Sequence, residues 1–172
     1  STDYVFDGKK YIPFKEEDTT NPINTYGKTK LLGEEALKKI NPVNSIIIRT
    51  SWVYSSFGNN FVKTMLKLAQ DRNQLSIIAD QIGTPTYAYD LAKIMLNIIP
   101  KINSSKVHVY HYANEGVASW YDFAFEIFHQ TSINCKILPI ETKDYPTAAE
   151  RPLYSVMNKS KIKNTFEIEI PH

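Results

Sequence analysis

Apolar residues recur three or four positions apart in four separate stretches of the chain, which is the spacing that places them on one side of a helix. Asn41 and Pro42 end the first stretch, because the residue before a proline disfavours helical geometry. Ser119 precedes the last stretch, and a serine oxygen at that position accepts hydrogen bonds from free backbone amides. The pattern predicts four helices, over residues 26–40, 60–71, from Thr86 or Tyr87 to 99, and 120–130.

Short apolar runs between these helices have the pattern of strands. Three consecutive isoleucines, Ile46 to Ile48, are typical of a parallel strand buried on both faces, and the small polar residues after them indicate a site at its end. Because strands and helices alternate, the predicted fold class is α/β. Residues 142–155 are predicted to form a long irregular loop, and residues 168–172 show no obvious terminal element. The predicted strands lie within residues 1–6, 44–54, 75–80, 106–114 and 135–141.

The composition indicates the size of the domain and its cellular setting. At 172 residues, 42% hydrophobic and 22% charged, the chain is long enough for an ordinary domain with a core. A net charge of +2 without long runs of like charge argues against nucleic-acid or membrane partners. Cys135 is the only cysteine, so no intrachain disulfide forms, and a buried structural thiol is expected. With no visible signal peptide and no membrane-length apolar run, a cytoplasmic protein is expected.

Tyrosine and lysine occur four residues apart at three places, so the spacing alone decides nothing. The pair that begins at Tyr11 encloses Pro13 and is not expected to be helical. The pair that begins at Tyr89 adjoins an apolar run, and its simplest interpretation is the surface edge of a packing helix. Tyr26 and Lys30 share one helix face and carry Gly27 between them. They are either a proton-transfer pair or two surface residues of the helix without a chemical role.

The chemical case for the pair rests on charge. A tyrosine is a poor acid at neutral pH because its ordinary pKa is about 10, and a nearby ammonium group favours the tyrosinate form. A hydroxyl from Ser1 or Thr2, bonded to the same substrate oxygen as Tyr26, would complete the arrangement. With this arrangement, Tyr26 could protonate a carbonyl oxygen while hydride arrives from the other side.

Five stretches of the chain, in order, carry a resemblance to a known family. They are STDYVFDG, NPINTYGKTKLLGE, IIIRTSWVYSSFGNNFVKTML, DQIGTPTYAYDLA and AERPLYS. Together they resemble the dTDP-4-dehydrorhamnose reductases, which are extended short-chain dehydrogenase/reductases. The resemblance covers most of the chain and implies the later part of a Rossmann-type parallel sheet with a small α/β substrate-binding domain. It further implies reduction of the 4-keto group of dTDP-4-dehydro-L-rhamnose by NADPH or NADH to give dTDP-L-rhamnose for cell-surface polysaccharide.

The resemblance also assigns residues. It implies that Thr2, Tyr26 and Lys30 are catalytic. The implied cofactor contacts are Tyr26, Lys30, Ser51 and Trp52. The implied contacts of the dTDP-sugar are Asp3, Tyr4, Trp52, Asn60, Phe61, Gly83, Pro85, Thr86 and Arg151.

Several of these residues have plainer interpretations. Trp52 could be a core aromatic under a strand end, and Asn59 could simply cap a helix. Arg151 could form a surface salt bridge with Glu150, although a planar guanidinium suits phosphate oxygens well. A homodimer is left open. No metal is expected, because the four histidines show no ligand pattern and Tyr89 replaces a carboxylate that some relatives have.

One departure from the family concerns glycine. None of the six glycines forms the glycine-rich turn that cradles a dinucleotide pyrophosphate. The chain is therefore expected to be a C-terminal portion of the family that is inactive by itself. Residues 1–56 are assigned to the dinucleotide domain and residues 57–172 mostly to the substrate domain, with about 87–115 returning to the dinucleotide domain. The alternatives are another nucleotide-sugar reductase or epimerase, a partner-binding relative such as the methionine adenosyltransferase regulatory subunit, or a truncated product without independent function.

Overall fold

A computed structural model describes all residues, 1–172. It contains five α-helices and eight strands, with short 3₁₀ turns at Asp3–Val5, Ile99–Lys101 and Thr142–Asp144. The elements in chain order are α1 (Thr25–Ile40), β1 (Ile46–Arg49), β2 (Val53–Tyr54), α2 (Phe61–Asp71), β3 (Gln74–Ile78), β4 (Ile82–Gly83), β5 (Thr86–Tyr87), α3 (Ala88–Ile98), β6 (His108–His111), β7 (Ala118–Ser119), α4 (Trp120–Thr131), β8 (Lys136–Ile140) and α5 (Ser160–Phe166).

The strands form four pairs, three of them parallel. β1 lies beside β6, β2 beside β5, and β3 beside β8, each in parallel register, whereas β4 and β7 are antiparallel. Parallel pairs need crossover connections, and helices provide most of them here. The predicted α/β class is confirmed. None of the helices is both long enough and apolar enough to cross a membrane.

The four predicted helices are present with small shifts at their ends. The third begins at Ala88 rather than at Thr86 or Tyr87, because those two residues pair with β2. Ser119 caps α4 as predicted: its hydroxyl accepts a hydrogen bond from the Asp122 amide, and the Asp122 carboxylate accepts one from the Ser119 amide. The cap of α2 is Asn60 and not Asn59.

The prediction of a strand over residues 1–6 was wrong. Only Thr2 forms a bridge, parallel to Thr50, and the chain then turns into the 3₁₀ segment Asp3–Val5. The Thr2 hydroxyl accepts a hydrogen bond from the Tyr4 amide at 3.3 Å. This local bond offers the backbone an alternative to further strand pairing.

The chain end also differs from expectation, because it carries an ordered element. Helix α5 is followed by Ile168 and Ile170, which are buried in one apolar cluster with Ile98 and Tyr112. A helix of seven residues gives too few turns for a helical period to be visible in sequence. The terminal segment therefore contributes to the core beside β6.

A second apolar cluster fills the space between α2, β3 and α4. Its buried members are Met65, Leu75, Ile77, Ala124, Ile127, Phe128 and Cys135. Cys135 is a free thiol within this cluster, so its predicted structural role is confirmed. The domain boundaries proposed from the sequence stay a prediction.

Beneath α1 the interior is polar. Arg49 on β1 donates two hydrogen bonds to the Glu34 carboxylate on α1, at 2.8 and 2.7 Å, and both side chains are almost fully buried. The Ser1 hydroxyl donates a third at 2.6 Å. Burial alone would raise the pKa of Glu34, but the bonds from Arg49 and Ser1 outweigh it and the pKa is lowered. This ion pair fixes α1, and with it Tyr26, against the sheet.

His111 on β6 extends the polar interior. Arg49 only donates hydrogen bonds, and it lies 3.4 Å from Nε2 of His111. The carbonyl oxygen of Phe14 only accepts, and it lies 3.2 Å from Nδ1. The ring is therefore neutral, with its proton on Nδ1. Burial, together with the Arg49 charge, lowers the pKa of His111 to about 3.

Candidate active site

A glycine lets α1 approach the turn that follows Thr2. A side chain at Gly27 would collide with the carbonyl oxygen of Tyr4. Because this position is a glycine, the first turn of α1 packs directly on the Asp3–Val5 segment. The rings of Tyr4 and Tyr26 meet edge to face with centroids 5.7 Å apart.

Lys30 lies one helical turn beyond Tyr26, as the spacing predicts. Its ammonium nitrogen is 5.7 Å from the centre of the Tyr26 ring. Tyr26 is 52% exposed, and neither its hydroxyl nor the Lys30 ammonium is engaged in a hydrogen bond within the chain. Both polar groups are free to meet a ligand.

Thr2 and Asp3 form a buried pair beside them. Thr2 is 5% exposed and Asp3 2% exposed, and the Thr2 hydroxyl donates to Oδ1 of Asp3 at 3.0 Å. The other carboxylate oxygen of Asp3 is buried and forms no hydrogen bond of good geometry, although the Ser155 side chain is close enough to stabilise the carboxylate. Burial raises the pKa of Asp3 to about 6. We call the group Thr2, Asp3, Tyr4, Tyr26 and Lys30 the reaction edge.

Asn24 connects the reaction edge to the loop that carries Arg151. Its Oδ1 accepts the Gly27 amide at 2.8 Å and caps α1, while its Nδ2 donates to the Glu150 carbonyl oxygen at 2.8 Å. Burial, then Asp3, raises the pKa of Tyr4 to about 12, and the nearby Arg151 charge opposes this rise. No ion pair joins Arg151 to Glu150, so the salt-bridge interpretation is not supported.

Arg151 also borders a cavity of about 510 Å³ on the far side of the loop. Its lining comes mostly from residues of α2 and β3, together with Trp120 of α4. We call it the Arg151 cavity. The residues that matter for its chemistry are Phe61, Met65, Arg72, Gln74, Trp120, Tyr145 and Arg151. A largely apolar cavity with arginines in its lining suits a flat base attached to phosphate.

Two tryptophans stack on each other, and one of them, Trp120, lines the Arg151 cavity. The rings of Trp52 and Trp120 lie 3.6 Å apart and nearly parallel, and Phe61 lies 4.6 Å from Trp120. Trp52 has a φ of 46°, a left-handed conformation that is costly for a bulky residue. A Cβ at Gly83 would be 2.6 Å from the Trp52 ring, so only glycine fits beneath it.

The remaining predicted residues are used within the fold. Ser51 is buried and donates to the Thr84 carbonyl oxygen at 2.7 Å. Thr86 is fully buried, and its hydroxyl lies 3.4 Å from that of Thr50. Asn60 uses its oxygen to cap α2 and its amide to bind the Ser55 carbonyl. Pro85, between Thr84 and Thr86, is only partly buried.

Sequence reasoning missed three parts of this arrangement. The interpretations of the sequence did not include Asn24, Glu34 or Trp120, although each positions a site residue. Asn24 stands directly before the predicted helix, so its preference for a cap position was a usable signal. The contacts of Glu34 and Trp120 join distant segments, and no local pattern shows them.

The chain fits one end of a nicotinamide cofactor. The exposed groups of Tyr26 and Lys30 could bind ribose hydroxyls at the reaction edge. The pyrophosphate has no comparable place, because none of the six glycines lies in a glycine-rich turn between a strand and a helix. The residues present therefore fit the ribose end of the cofactor alone.

The parallel strand pairs and the helices between them give the chain the α/β architecture of Rossmann-type proteins. The family model described as RmlD substrate binding domain matches residues 1–172. The chain belongs to this family, so the resemblance seen in the sequence is confirmed.

Individual relatives support the same family assignment. The chain is 46% identical to a dTDP-4-dehydrorhamnose reductase of Aggregatibacter actinomycetemcomitans, over 98% of this chain and 60% of the relative. It is 44% identical to the spore coat polysaccharide biosynthesis protein SpsK of Bacillus subtilis, over 95% of this chain and 56% of the relative. The chain thus spans about 60% of the length of such curated relatives.

Solved structures give the same result. A dTDP-4-dehydrorhamnose reductase from Bacillus anthracis, in complex with NADP, superposes with a TM-score of 0.92 at 38% identity, over 99% of this chain and 59% of that one. A UDP-galactose 4-epimerase superposes with a TM-score of 0.81 at 15% identity, over 100% of this chain and 56% of that one. The second likeness shows the fold alone.

Proposed function

We propose that this chain provides the substrate-binding and proton-donating part of an NADPH- or NADH-dependent dTDP-4-dehydrorhamnose reductase, which forms dTDP-L-rhamnose. The observation that carries the proposal is the position of Arg151, between the reaction edge and the Arg151 cavity. A nucleoside diphosphate sugar has the matching order of parts: base, two phosphates and sugar. The names of the relatives supply the identity of base and sugar.

In this arrangement the thymine lies in the Arg151 cavity and the diphosphate meets the guanidinium. An arginine side chain binds phosphate through parallel hydrogen bonds, and it fixes the ligand more firmly than a lysine would. The sugar then extends past Trp52 toward Tyr26. Asn24 maintains this geometry, because it ties the loop to the start of α1.

The reaction requires a hydride and a proton. A nicotinamide whose ribose is held by Tyr26 and Lys30 would supply the hydride to C4 of the sugar. The electrons of the C4–O4 double bond move to O4, which takes the proton from the Tyr26 hydroxyl. Lys30 stabilises the tyrosinate that remains, and Thr2 positions O4 by a hydrogen bond. Proton donation of this kind contributes typically ~10² to 10⁴ in rate.

A chimera tests the proposal. The segment of the Aggregatibacter reductase that aligns with this chain, at 46% identity, would be replaced by residues 1–172. We expect the chimera to oxidise NADPH or NADH in the presence of dTDP-4-dehydro-L-rhamnose, and Tyr26→Phe to lower turnover by at least ~10²-fold. Tyr89→Phe is the matched control, since it starts another Tyr-x-x-x-Lys sequence and is 64% exposed.

Two outcomes would count against the proposal. A folded chimera that reduces another nucleotide 4-keto sugar and leaves this one untouched would reassign the substrate. Equal turnover of the parent chimera and Tyr26→Phe would remove Tyr26 from the chemistry. Loss of activity in Tyr89→Phe as well would show that the substitutions act through folding.

A further inference from the structure

The Thr2 hydroxyl is already engaged on two sides. It accepts the Tyr4 amide proton at 3.3 Å and donates its own proton to Oδ1 of Asp3 at 3.0 Å. A hydroxyl has one proton to donate and two lone pairs to accept with. Only one lone pair of Thr2 therefore remains free in this state.

This matters because a ketone oxygen can only accept hydrogen bonds. An ionised Asp3 carboxylate can also only accept, so it holds the single Thr2 proton. Thr2 then has nothing to donate to the substrate. When Asp3 is protonated it can donate to Thr2 instead, and the Thr2 proton becomes free for the ketone.

We propose that Asp3 is a positioning residue, whose protonation decides whether the Thr2 hydroxyl can donate a hydrogen bond to the carbonyl oxygen of the substrate. The part that concerns the substrate rests on the proposed function. The link between Asp3 and Thr2 stands on the geometry of these two residues alone. Binding of the ketone above the Asp3 pKa then takes up one proton from solvent, which resides on the Asp3 carboxyl group.

The surroundings of Asp3 keep both protonation states within reach. The carboxyl group is 2% exposed, and burial raises its pKa to about 6, although hydrogen bonds from Ser155 and Thr2 oppose this rise. Tyr4 is the ionisable group beside Asp3, because the Asp3 charge helps to raise the pKa of Tyr4, and Tyr26 and Arg151 adjoin Tyr4 in turn. The carboxylate is stabilised by hydrogen bonds from the hydroxyls of Ser155 and Thr2 and from the backbone at Asp3 and Tyr4, but no cation pairs with it, so no fixed positive charge locks it in its ionised form.

The first test needs no ligand. The chain with ¹³C-labelled aspartate is titrated by NMR, and the Asp3 carboxyl resonance is followed in the parent, in Thr2→Val and in Thr2→Ser. We expect Thr2→Val to raise the Asp3 pKa, because the variant lacks the donor that stabilises the carboxylate. Thr2→Ser keeps the donor and should stay close to the parent. An equal Asp3 pKa in all three proteins would overturn the proposal.

The second test concerns the substrate. Binding of dTDP-4-dehydro-L-rhamnose is measured by calorimetry between about pH 5 and pH 8, with dTDP and dTDP-L-rhamnose as references. The affinity for the ketone should fall about tenfold across this range, the worth of one hydrogen bond. dTDP-L-rhamnose carries a hydroxyl at C4 and can donate to Thr2, so its affinity and that of dTDP should change little.

The variant Asp3→Asn tests whether protonation of Asp3 causes the pH dependence of ketone binding. Its amide donates to Thr2 at every pH, so the ketone should bind this variant with a nearly constant affinity. A pH profile equal to that of the parent would contradict the proposal. If neither dTDP nor the sugars bind at all, the proposed function fails, and the NMR titration still decides the link between Asp3 and Thr2.

Discussion

The two sides of the candidate active site are stabilised by different interactions. Behind the reaction edge the interior is polar: Glu34, Arg49 and His111 are buried and connected by hydrogen bonds. Behind the Arg151 cavity the interior is apolar, with Met65, Leu75 and their neighbours packed between α2, β3 and α4. Directional bonds fix positions and depend on pH, whereas apolar contacts mainly require that volume be filled. This contrast fits a site in which one side positions reacting atoms and the other side holds a base.

The largest expected effect is on the polar side. Arg49→Met leaves the Glu34 carboxylate buried without its partner, which should cost about 3–5 kcal/mol in the free energy of unfolding. Lys38→Met is the matched control, because Lys38 is partly exposed and lies 3.7 Å from Glu34. Urea denaturation of both variants would measure the difference. Similar small losses in the two variants would show that the buried pair does not stabilise the fold.

The polar side should also give two opposite pH dependences. Below its ordinary pKa of 6.5, His111 takes up a proton in the unfolded chain but not in the folded chain, whose pKa is about 3. Stability is therefore lost as the pH falls from 6.5 toward 3, by roughly 1.4 kcal/mol per pH unit. His111→Gln should lack this loss.

The pH dependence of stability that Asp3 contributes has the opposite sign. Its pKa is about 6 in the folded chain and ordinarily 3.8, so between these values the folded chain keeps a proton that the unfolded chain has released. Stability therefore falls as the pH rises through this window and stays lower above it, by roughly 2–3 kcal/mol in total. Asp3→Asn should gain stability relative to the parent as the pH rises. Urea denaturation at several pH values would measure both slopes, and slopes of equal sign would refute one assignment.

The next effect concerns the ligand. Arg151→Ala should weaken dTDP binding by ~1.5–3 kcal/mol, the value of a charge-assisted hydrogen bond, without a comparable loss of stability. Lys143→Ala is a suitable control, because Lys143 is an exposed cation that pairs with Glu141 in the same loop. Calorimetry with dTDP compares the two. Equal affinity in Arg151→Ala and the parent would remove Arg151 from the diphosphate site.

The smallest effect is expected for a volume-conserving substitution on the apolar side. Met65→Leu conserves volume and should cost less than about 1.5 kcal/mol, whereas Met65→Ala should cost about 2–5 kcal/mol. Arg49→Lys also conserves charge and approximate size, yet it loses the two-pronged contact with Glu34 and should be tolerated less well than Met65→Leu. Thermal or urea unfolding would rank the three. An Arg49→Lys variant as stable as Met65→Leu would show that the polar side does not depend on bond geometry more than the apolar side does.

The same contrast explains what the sequence could predict. Helical periodicity and the isoleucine run predicted most of the elements around the apolar core, because those signals are local. The pairing of Glu34 with Arg49 and the stack of Trp52 on Trp120 join segments far apart in the chain. The short turn after Thr2 depends on one hydroxyl, and a strand pattern overrode it in the prediction. For the reaction edge, the spacing of Tyr26 and Lys30 left two interpretations open, and the family resemblance favoured the catalytic one.

The central claim is that this chain carries the substrate side of the site and only the ribose end of the cofactor side. The chain has two tryptophans, Trp52 and Trp120. Both lie at the candidate site, so their fluorescence reports on ligand binding. The most direct measurement is a fluorescence titration of the chain with dTDP and, in parallel, with NADPH and NADH. We predict a saturable response to dTDP and no micromolar binding of either nicotinamide cofactor. Micromolar binding of NADPH or NADH would contradict the assignment of the cofactor side, and the absence of any response to dTDP would contradict the assignment of the substrate side.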